Sequence, residues 1–112
     1  MIYVVDIDGT ICTDAEKVDG VTDYTTCVPY SERIEMLNDL YYHGHTIIYH
    51  TARGMGRTNN DAEKAHELFY EFTSNQLEKW SAAHHKLMLG KPAADAYIDD
   101  KAIDVNKLWP LK

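Results

Sequence analysis

At 112 residues the chain has the size of one domain, and we expect residues 1–112 to fold as a single unit around a modest core. It carries 18 Asp and Glu against 11 Lys and Arg, a net charge of −7, so general binding of nucleic acid is disfavoured. No apolar run approaches the roughly 20 residues that span a bilayer, and no signal-peptide pattern opens the chain. These features predict a cytoplasmic protein without membrane association.

Short apolar runs alternate with longer amphipathic ones, which is typical of a parallel α/β domain. Residues 2–5 form a continuous β-branched run, as expected of a central strand that is buried on both faces. A polar stretch over 11–29 follows, in which Asp19-Gly20 suits a hairpin turn.

Helical periodicity begins after this stretch, with Ser31 as the predicted N-cap and Gly44 as the predicted stop. A second strand over 46–50 follows, and Asn60 or Asp61 can cap the next helix. The apolar stripe of that helix is Ala65, Leu68, Phe69, Phe72, Gln76, Leu77 and Trp80. We expect its aromatic residues to pack in the core.

The remaining chain predicts a third strand over 86–89, a fourth over 96–98 and a short helix within 102–108. The domain should therefore contain about four parallel strands. In an open parallel sheet the carboxyl ends of the strands lie along one edge, where ligands bind.

Each predicted strand ends in residues capable of phosphate or metal chemistry. These residues are Asp6 with Asp8, Thr51, Lys91, and Asp99 with Asp100. Taken singly, they have ordinary explanations: a surface turn, a cap, a solvated lysine. Taken together, adjacent carboxylates that repel each other favour a hard cation such as Mg²⁺, and a lysine offsets phosphate charge. We therefore expect a metal and phosphate site at this edge.

Other residues that often bind metals lack the required spacing. Cys12 and Cys27 have no CxxC spacing, which in a cytoplasmic protein favours free thiols over a disulfide or a metal pair. His43 with His45, and the adjacent pair 84–85, lack Cys or carboxylate partners at zinc-like spacing. We predict no zinc site among them.

Four motifs together resemble those of the haloacid dehalogenase superfamily, in order and in strand context over essentially the whole chain. They are Asp-x-Asp-Gly-Thr at 6–10, a strand that ends in Thr51, Lys91 before a turn, and Tyr-Ile-Asp-Asp at 97–100. The resemblance implies a magnesium-dependent phosphatase that works through an aspartyl-phosphate. It also implies a three-layer, doubly wound, Rossmann-like parallel sheet.

The resemblance also assigns roles to the first motif. It implies that Asp6 is the nucleophile and a metal ligand, and that Asp8 protonates the leaving group and then activates water. In the family the backbone carbonyl at the position of Asp8 usually reaches the metal. Gly9 lets the backbone turn and approach a phosphate, and Thr10 belongs to the same substrate-binding loop.

Later motifs complete the implied site. Thr51 and Lys91 would hold the transferring phosphoryl group. Asp99 would bind Mg²⁺ directly, with Asp100 as a further ligand or as its support.

The run at 51–55 and the run at 90–103 are similar to those of small family members in capsular or surface-polysaccharide clusters. This similarity implies a small phosphorylated metabolite, such as a sugar phosphate, as substrate. Arg53 and Arg57 are candidates for binding its phosphate or carboxylate groups.

The gaps at 11–30 and 52–85 are too short for the cap domain that larger relatives insert. We therefore expect a capless, open site. Alternatively, the polar 11–29 segment, as a flap, or a neighbouring subunit in a homo-oligomer covers it.

Two alternatives come from other classes. One is a 3′-phosphatase acting on nucleic-acid ends, against which the charge of −7 argues. The other is a receiver domain, a phosphoacceptor that is not an enzyme. In receivers Thr and Lys follow an acid that ends a middle strand, whereas here acid pairs come both first and last.

Overall fold

The computed structural model describes residues 1–108 and is built on a parallel sheet. Its elements in chain order are β1 (Ile2–Val5), β2 (Glu16–Val18), β3 (Val21–Asp23), α1 (Ser31–Tyr42), β4 (Thr46–Thr51), α2 (Ala62–Lys79), β5 (Lys86–Leu89) and α3 (Val105–Leu108). Strands β1, β4 and β5 are all parallel and lie side by side in the order β1-β4-β5. The predicted parallel α/β organisation is confirmed, and it is consistent with a Rossmann-like fold.

Both long helices contribute to a core on one face of the sheet. Tyr3 is paired with Ile47 in the β1–β4 register, and Tyr49 lies two residues further on the same face. Ile34 from α1 and Leu77 from α2 belong to the buried cluster that contains these sheet residues. In the part of the chain that the structure describes, no helix is both long and apolar enough to cross a membrane.

The opposite face of β1 is exposed. Ile2 and Val4 are 70% and 62% exposed, and β1 is the terminal strand of its sheet. The expectation of a central strand buried on both faces is therefore wrong for this structure. A β-branched run predicts a strand, but a second packed layer must come from elsewhere in the chain.

The fourth predicted strand, over 96–98, is not formed. This segment has no regular secondary structure, and Ile98 is fully exposed. So short an apolar run becomes a strand only where a neighbouring strand edge supplies its hydrogen bonds. The predicted helix within 102–108 is confirmed in part, as α3.

The predicted hairpin turn is confirmed. Asp19 and Gly20 have φ angles of 53° and 78° between the antiparallel strands β2 and β3. Two consecutive positive φ angles fit the tight turn that matches the twist of the paired strands.

Helix ends agree closely with the predictions, with one shift. α1 begins at Ser31, but its N-cap is Tyr30, which makes no capping side-chain hydrogen bond. The backbone N–H of Tyr30 is instead bound to the carbonyl of Ile11. Gly44, with φ of 92°, follows the end of α1 as predicted. Asp61 caps α2 by accepting a hydrogen bond from the backbone N–H of Lys64.

The apolar stripe predicted for α2 is confirmed in part. Ala65 and Leu77 are buried, but Leu68 is 56% exposed and Phe69 is only partly buried. Thr73, which the apolar pattern omitted, is fully buried. α2 therefore presents polar side chains to the interior, where Thr73 and Gln76 contact Arg53.

Candidate functional site

The ends of β1 and β5 bring Asp6 and Lys91 together. Lys91 Nζ lies 3.5 Å from Asp6 Oδ1, and the Thr10 hydroxyl donates a hydrogen bond to Asp6 Oδ2 at 3.3 Å. Both partners remain partly exposed, with 34% of the Asp6 side chain accessible. A carboxylate that is both reachable from solvent and next to a cation can act on an anionic ligand.

Electrostatics at this point are unusual for an exposed edge. Burial raises the pKa of Asp6 above its ordinary value, and the charge of Asp8 adds to this, while Lys91 opposes it. Burial also lowers the pKa of His50, with Lys91 acting in the same direction, so this imidazole is neutral at pH 7. Ionisation of Asp6 at this edge is therefore less favourable than it is in solvent.

That cost predicts how stability responds to substitution. Since the folded-state pKa of Asp6 lies above its unfolded value, its ionised form reduces stability at neutral pH, and the penalty disappears as pH falls through the folded-state pKa. We expect Asp6→Asn to raise the Tm at pH 7 in EDTA, with the gain shrinking as the pH approaches about 4. Thermal unfolding followed by circular dichroism measures this. A lower Tm for the variant at pH 7 would contradict it.

Thr51 ends β4 beside Lys91. The backbone N–H of Lys91 donates to the carbonyl of Thr51 at 3.2 Å, which joins the two strand ends. Thr51 is a buried residue, 1% exposed, and its hydroxyl accepts a hydrogen bond from the backbone N–H of Arg53 at 3.1 Å. Thr51 thus stabilises the turn after β4, and its role toward phosphate stays a prediction.

Arg53 contacts Asp8 rather than open solvent. Its Nε donates to Asp8 Oδ2 and one terminal nitrogen donates to Asp8 Oδ1, each at 3.0 Å. The other terminal nitrogen donates to Gln76 Oε1 at 2.7 Å and to the Thr73 hydroxyl at 3.3 Å. The guanidinium lies 4.8 Å from the ring centroid of Tyr24.

The structure thus places Arg53 against Asp8 and away from solvent, and binding of substrate by Arg53 stays a prediction. With every guanidinium nitrogen bound to protein and the residue 1% exposed, this arginine holds Asp8 in place. The sequence contains one indication of this contact, since Thr73 and Gln76 are polar residues on the side of α2 that faces the interior. Buried polar side chains need a partner.

Arg57 has a bridging position. It is exposed, donates to the carbonyl of Thr22 at 2.7 Å, and places its guanidinium 4.7 Å from the ring centroid of Phe69. Nearby, the backbone N–H of Gly54 donates to the Tyr24 hydroxyl at 3.0 Å. These contacts tie the 11–29 segment to α2 and the loop after β4, and binding of substrate by Arg57 stays a prediction.

Gly9 meets its predicted conformational requirement. Its φ is +78°, and a Cβ at this position would lie 3.0 Å from Asp14 Oδ1. Its backbone N–H donates to the carbonyl of Cys12 at 2.9 Å, which closes the turn after Asp8. Only glycine fits this turn without strain.

The two cysteines, which the sequence placed in a polar segment, are buried and converge on Asp8. Cys12 Sγ and Cys27 Sγ lie 3.6 and 3.3 Å from Asp8 Oδ1, and both are free thiols. The long interval between them in the chain concealed this proximity.

Asp99 and Asp100 do not join this cluster. Both are exposed, and Asp99 Oδ1 accepts a hydrogen bond from the backbone N–H of Lys101. Within residues 1–108, the group of at least three side chains placed to share a metal ion is Asp8 with the two cysteines. Of the four strand ends that were predicted to meet, those that carry Asp6, Thr51 and Lys91 lie together, whereas Asp99 and Asp100 lie elsewhere.

No family model matches the chain, and the comparison with curated proteins found no match. The crystal structure of an MCSG target from Vibrio cholerae superposes with a TM-score of 0.83 at 25% sequence identity. The match covers 99% of this chain and 89% of the Vibrio chain. The chain is therefore similar in fold, over nearly its whole described length, to that Vibrio cholerae protein.

Proposed function

We propose that the chain is a phosphatase that hydrolyses a small phosphomonoester, such as a sugar phosphate, through an aspartyl-phosphate on Asp6. The observation that carries this proposal is the accessible Asp6 carboxylate beside Lys91, with Nζ and Oδ1 3.5 Å apart at the edge of a parallel sheet. A carboxylate nucleophile needs a neighbouring cation, because phosphoryl oxygens otherwise repel it.

The donor chemistry fits Mg²⁺. Asp6 is a desolvated carboxylate whose pKa is raised by burial and by the charge of Asp8, so a hard dication at this point would relieve the cost of its ionised form. The Asp6 side chain and the backbone carbonyl of Asp8 would hold the ion. When bound, Mg²⁺ supplies positive charge that neutralises the phosphoryl oxygens.

The chain's own residues account for the chemical steps. An Asp6 oxygen attacks phosphorus, the ester P–O bond breaks, and Asp8 gives a proton to the leaving oxygen. A water molecule then gives a proton to Asp8 and attacks phosphorus, which breaks the Asp6–phosphorus bond and releases phosphate. Lys91 and Thr51 hold the phosphoryl oxygens throughout. Since Arg53 donates hydrogen bonds to both Asp8 oxygens, one of them must open, and Asp8 must take up a proton from solvent before it can act as the acid.

Metal dependence tests the proposal directly. We expect the purified protein to hydrolyse a generic aryl phosphate with Mg²⁺, to lose activity to EDTA, and to regain it when Mg²⁺ is restored. Release of phosphate from a panel of sugar phosphates, nucleotides and oligonucleotide ends then identifies the substrate class. No hydrolysis of any member with Mg²⁺ present would contradict the proposal.

We propose further that the chain completes a doubly wound core when metal and phosphate bind. The outer edge of β1 has no strand partner among residues 1–108, and the exposed side chains of Tyr97 and Ile98 are apolar. Pairing of 96–98 with this edge would bring Asp99 and Asp100 to the strand end that holds Asp6.

Hydrogen exchange checks this rearrangement. Backbone amides at 96–98 should exchange rapidly in EDTA and become protected with Mg²⁺ and inorganic phosphate, because strand pairing occupies their N–H groups. The amides in the middle of α1, which are bonded within the helix, serve as an internal control and should not change. Unchanged exchange at 96–98 in the metal-bound protein would show that this segment stays unpaired.

A further inference from the structure

We propose that Asp8, Cys12 and Cys27 form a binding site for a thiophilic divalent cation of the zinc type, separate in chemistry from the Mg²⁺ site. The three side chains come from the turn after β1 and from the segment that precedes α1, and their ligand atoms all lie within 4.8 Å of one another. Cys12 is fully buried and Cys27 is 7% exposed. These are the only two cysteines in the chain.

The spacing of the ligand atoms fits such a cation. Tetrahedral zinc, with Zn–S of about 2.3 Å and Zn–O of about 2.0–2.2 Å, requires a sulfur–oxygen separation of roughly 3.5 Å. Asp8 Oδ1 lies 3.6 Å from Cys12 Sγ and 3.3 Å from Cys27 Sγ. Both sulfur–oxygen edges of a coordination tetrahedron are thus close to the required length before any metal binds.

Charge is compatible with the same assignment. The carboxylate of Asp8 is already paired with the buried guanidinium of Arg53, and the two protonated thiols donate to Asp8 Oδ1, so the cluster is neutral before a metal binds. A dication that displaces both thiol protons as the metal–sulfur bonds form keeps the buried cluster neutral. Mg²⁺ cannot replace it, because hard cations take oxygen ligands.

Occupation of this site would remove the Asp8 carboxylate from proton transfer, a consequence that rests on the proposed function. Binding itself does not, so it is tested with the metal alone. EDTA-stripped protein, reduced and with both thiols confirmed free, is titrated with Co²⁺ and then with Zn²⁺. We expect a sulfur-to-cobalt charge-transfer absorption that saturates at about one Co²⁺ per chain and is abolished by Zn²⁺.

Variants separate this site from adventitious binding to histidines. Cys12→Ser and Cys27→Ser should each reduce or abolish the charge-transfer absorption. Asp8→Asn should weaken Co²⁺ binding by more than roughly 100-fold. Loss of a residue that only hydrogen-bonds to a metal ligand costs roughly 10–100-fold, and Asp8 is proposed as a ligand itself. His84→Gln with His85→Gln is the matched control and should keep the absorption unchanged.

Two outcomes would overturn the proposal. One is a folded, reduced wild-type protein with no charge-transfer absorption at saturating Co²⁺, a result that does not depend on whether any variant folds. The other is an absorption that survives replacement of both cysteines. Failure of phosphatase activity with intact cobalt binding would reject only the proposed function.

Discussion

Replacement of Asp6 by Asn should reduce hydrolysis of an aryl phosphate by roughly 10⁴–10⁶-fold, the scale seen when a covalent nucleophile is removed. Asn keeps the size of the side chain and its contact distance to Lys91, but its amide cannot form the acyl phosphate. Initial rates with Mg²⁺ at saturating substrate measure the loss.

The control is Asp39→Asn, which removes an exposed carboxylate on α1 and should leave the rate unchanged. Thermal unfolding of Asp6→Asn is the second control: a Tm at or above that of the wild type, as expected, excludes unfolding as the cause of the lost activity. Wild-type turnover by Asp6→Asn would reject the nucleophile and the proposed mechanism with it.

Replacement of Arg53 by Met should destabilise the fold by about 2–4 kcal/mol. Removal of one partner from a buried ion pair costs about 3–5 kcal/mol, and the partial exposure of Asp8, at 22%, reduces this. The substitution also leaves Thr73 and Gln76 without their cationic partner. Urea unfolding followed by circular dichroism measures the change.

Arg57→Met is the matched control, because Arg57 is exposed and bound to one backbone carbonyl, and its loss should cost less than about 1 kcal/mol. Addition of Asp8→Asn to Arg53→Met should recover part of the lost stability, because it removes the unpaired charge. If Arg53 served substrate instead of Asp8, Arg53→Met would raise KM and leave the unfolding midpoint unchanged.

The extent of prediction from sequence differs between local and long-range features. The hairpin turn at Asp19-Gly20, the Asp61 cap and the strand ends at Asp6 and Lys91 were predictable, because turn chemistry and apolar periodicity act over a few residues. The approach of Asp6 to Lys91 followed from one further rule, that parallel strands end along one edge.

Other features required the tertiary structure. The apolar run at 2–5 predicts a strand by its local composition alone. The exposure of Ile2 and Val4 depends on whether another segment packs on the second face of the sheet. The 96–98 segment shows the same limit, since its apolar run becomes a strand only beside an available edge.

The sequence by itself thus determined the α/β organisation and which residues stand at the ends of its strands, because periodicity and turn propensity are properties of neighbouring residues. Only the tertiary structure decided that Asp8 is held by Arg53 and flanked by two buried thiols. Those contacts depend on how the 11–29 segment and α2 pack around the sheet edge. Such packing is set by burial and hydrogen bonding between distant segments, which no local pattern records.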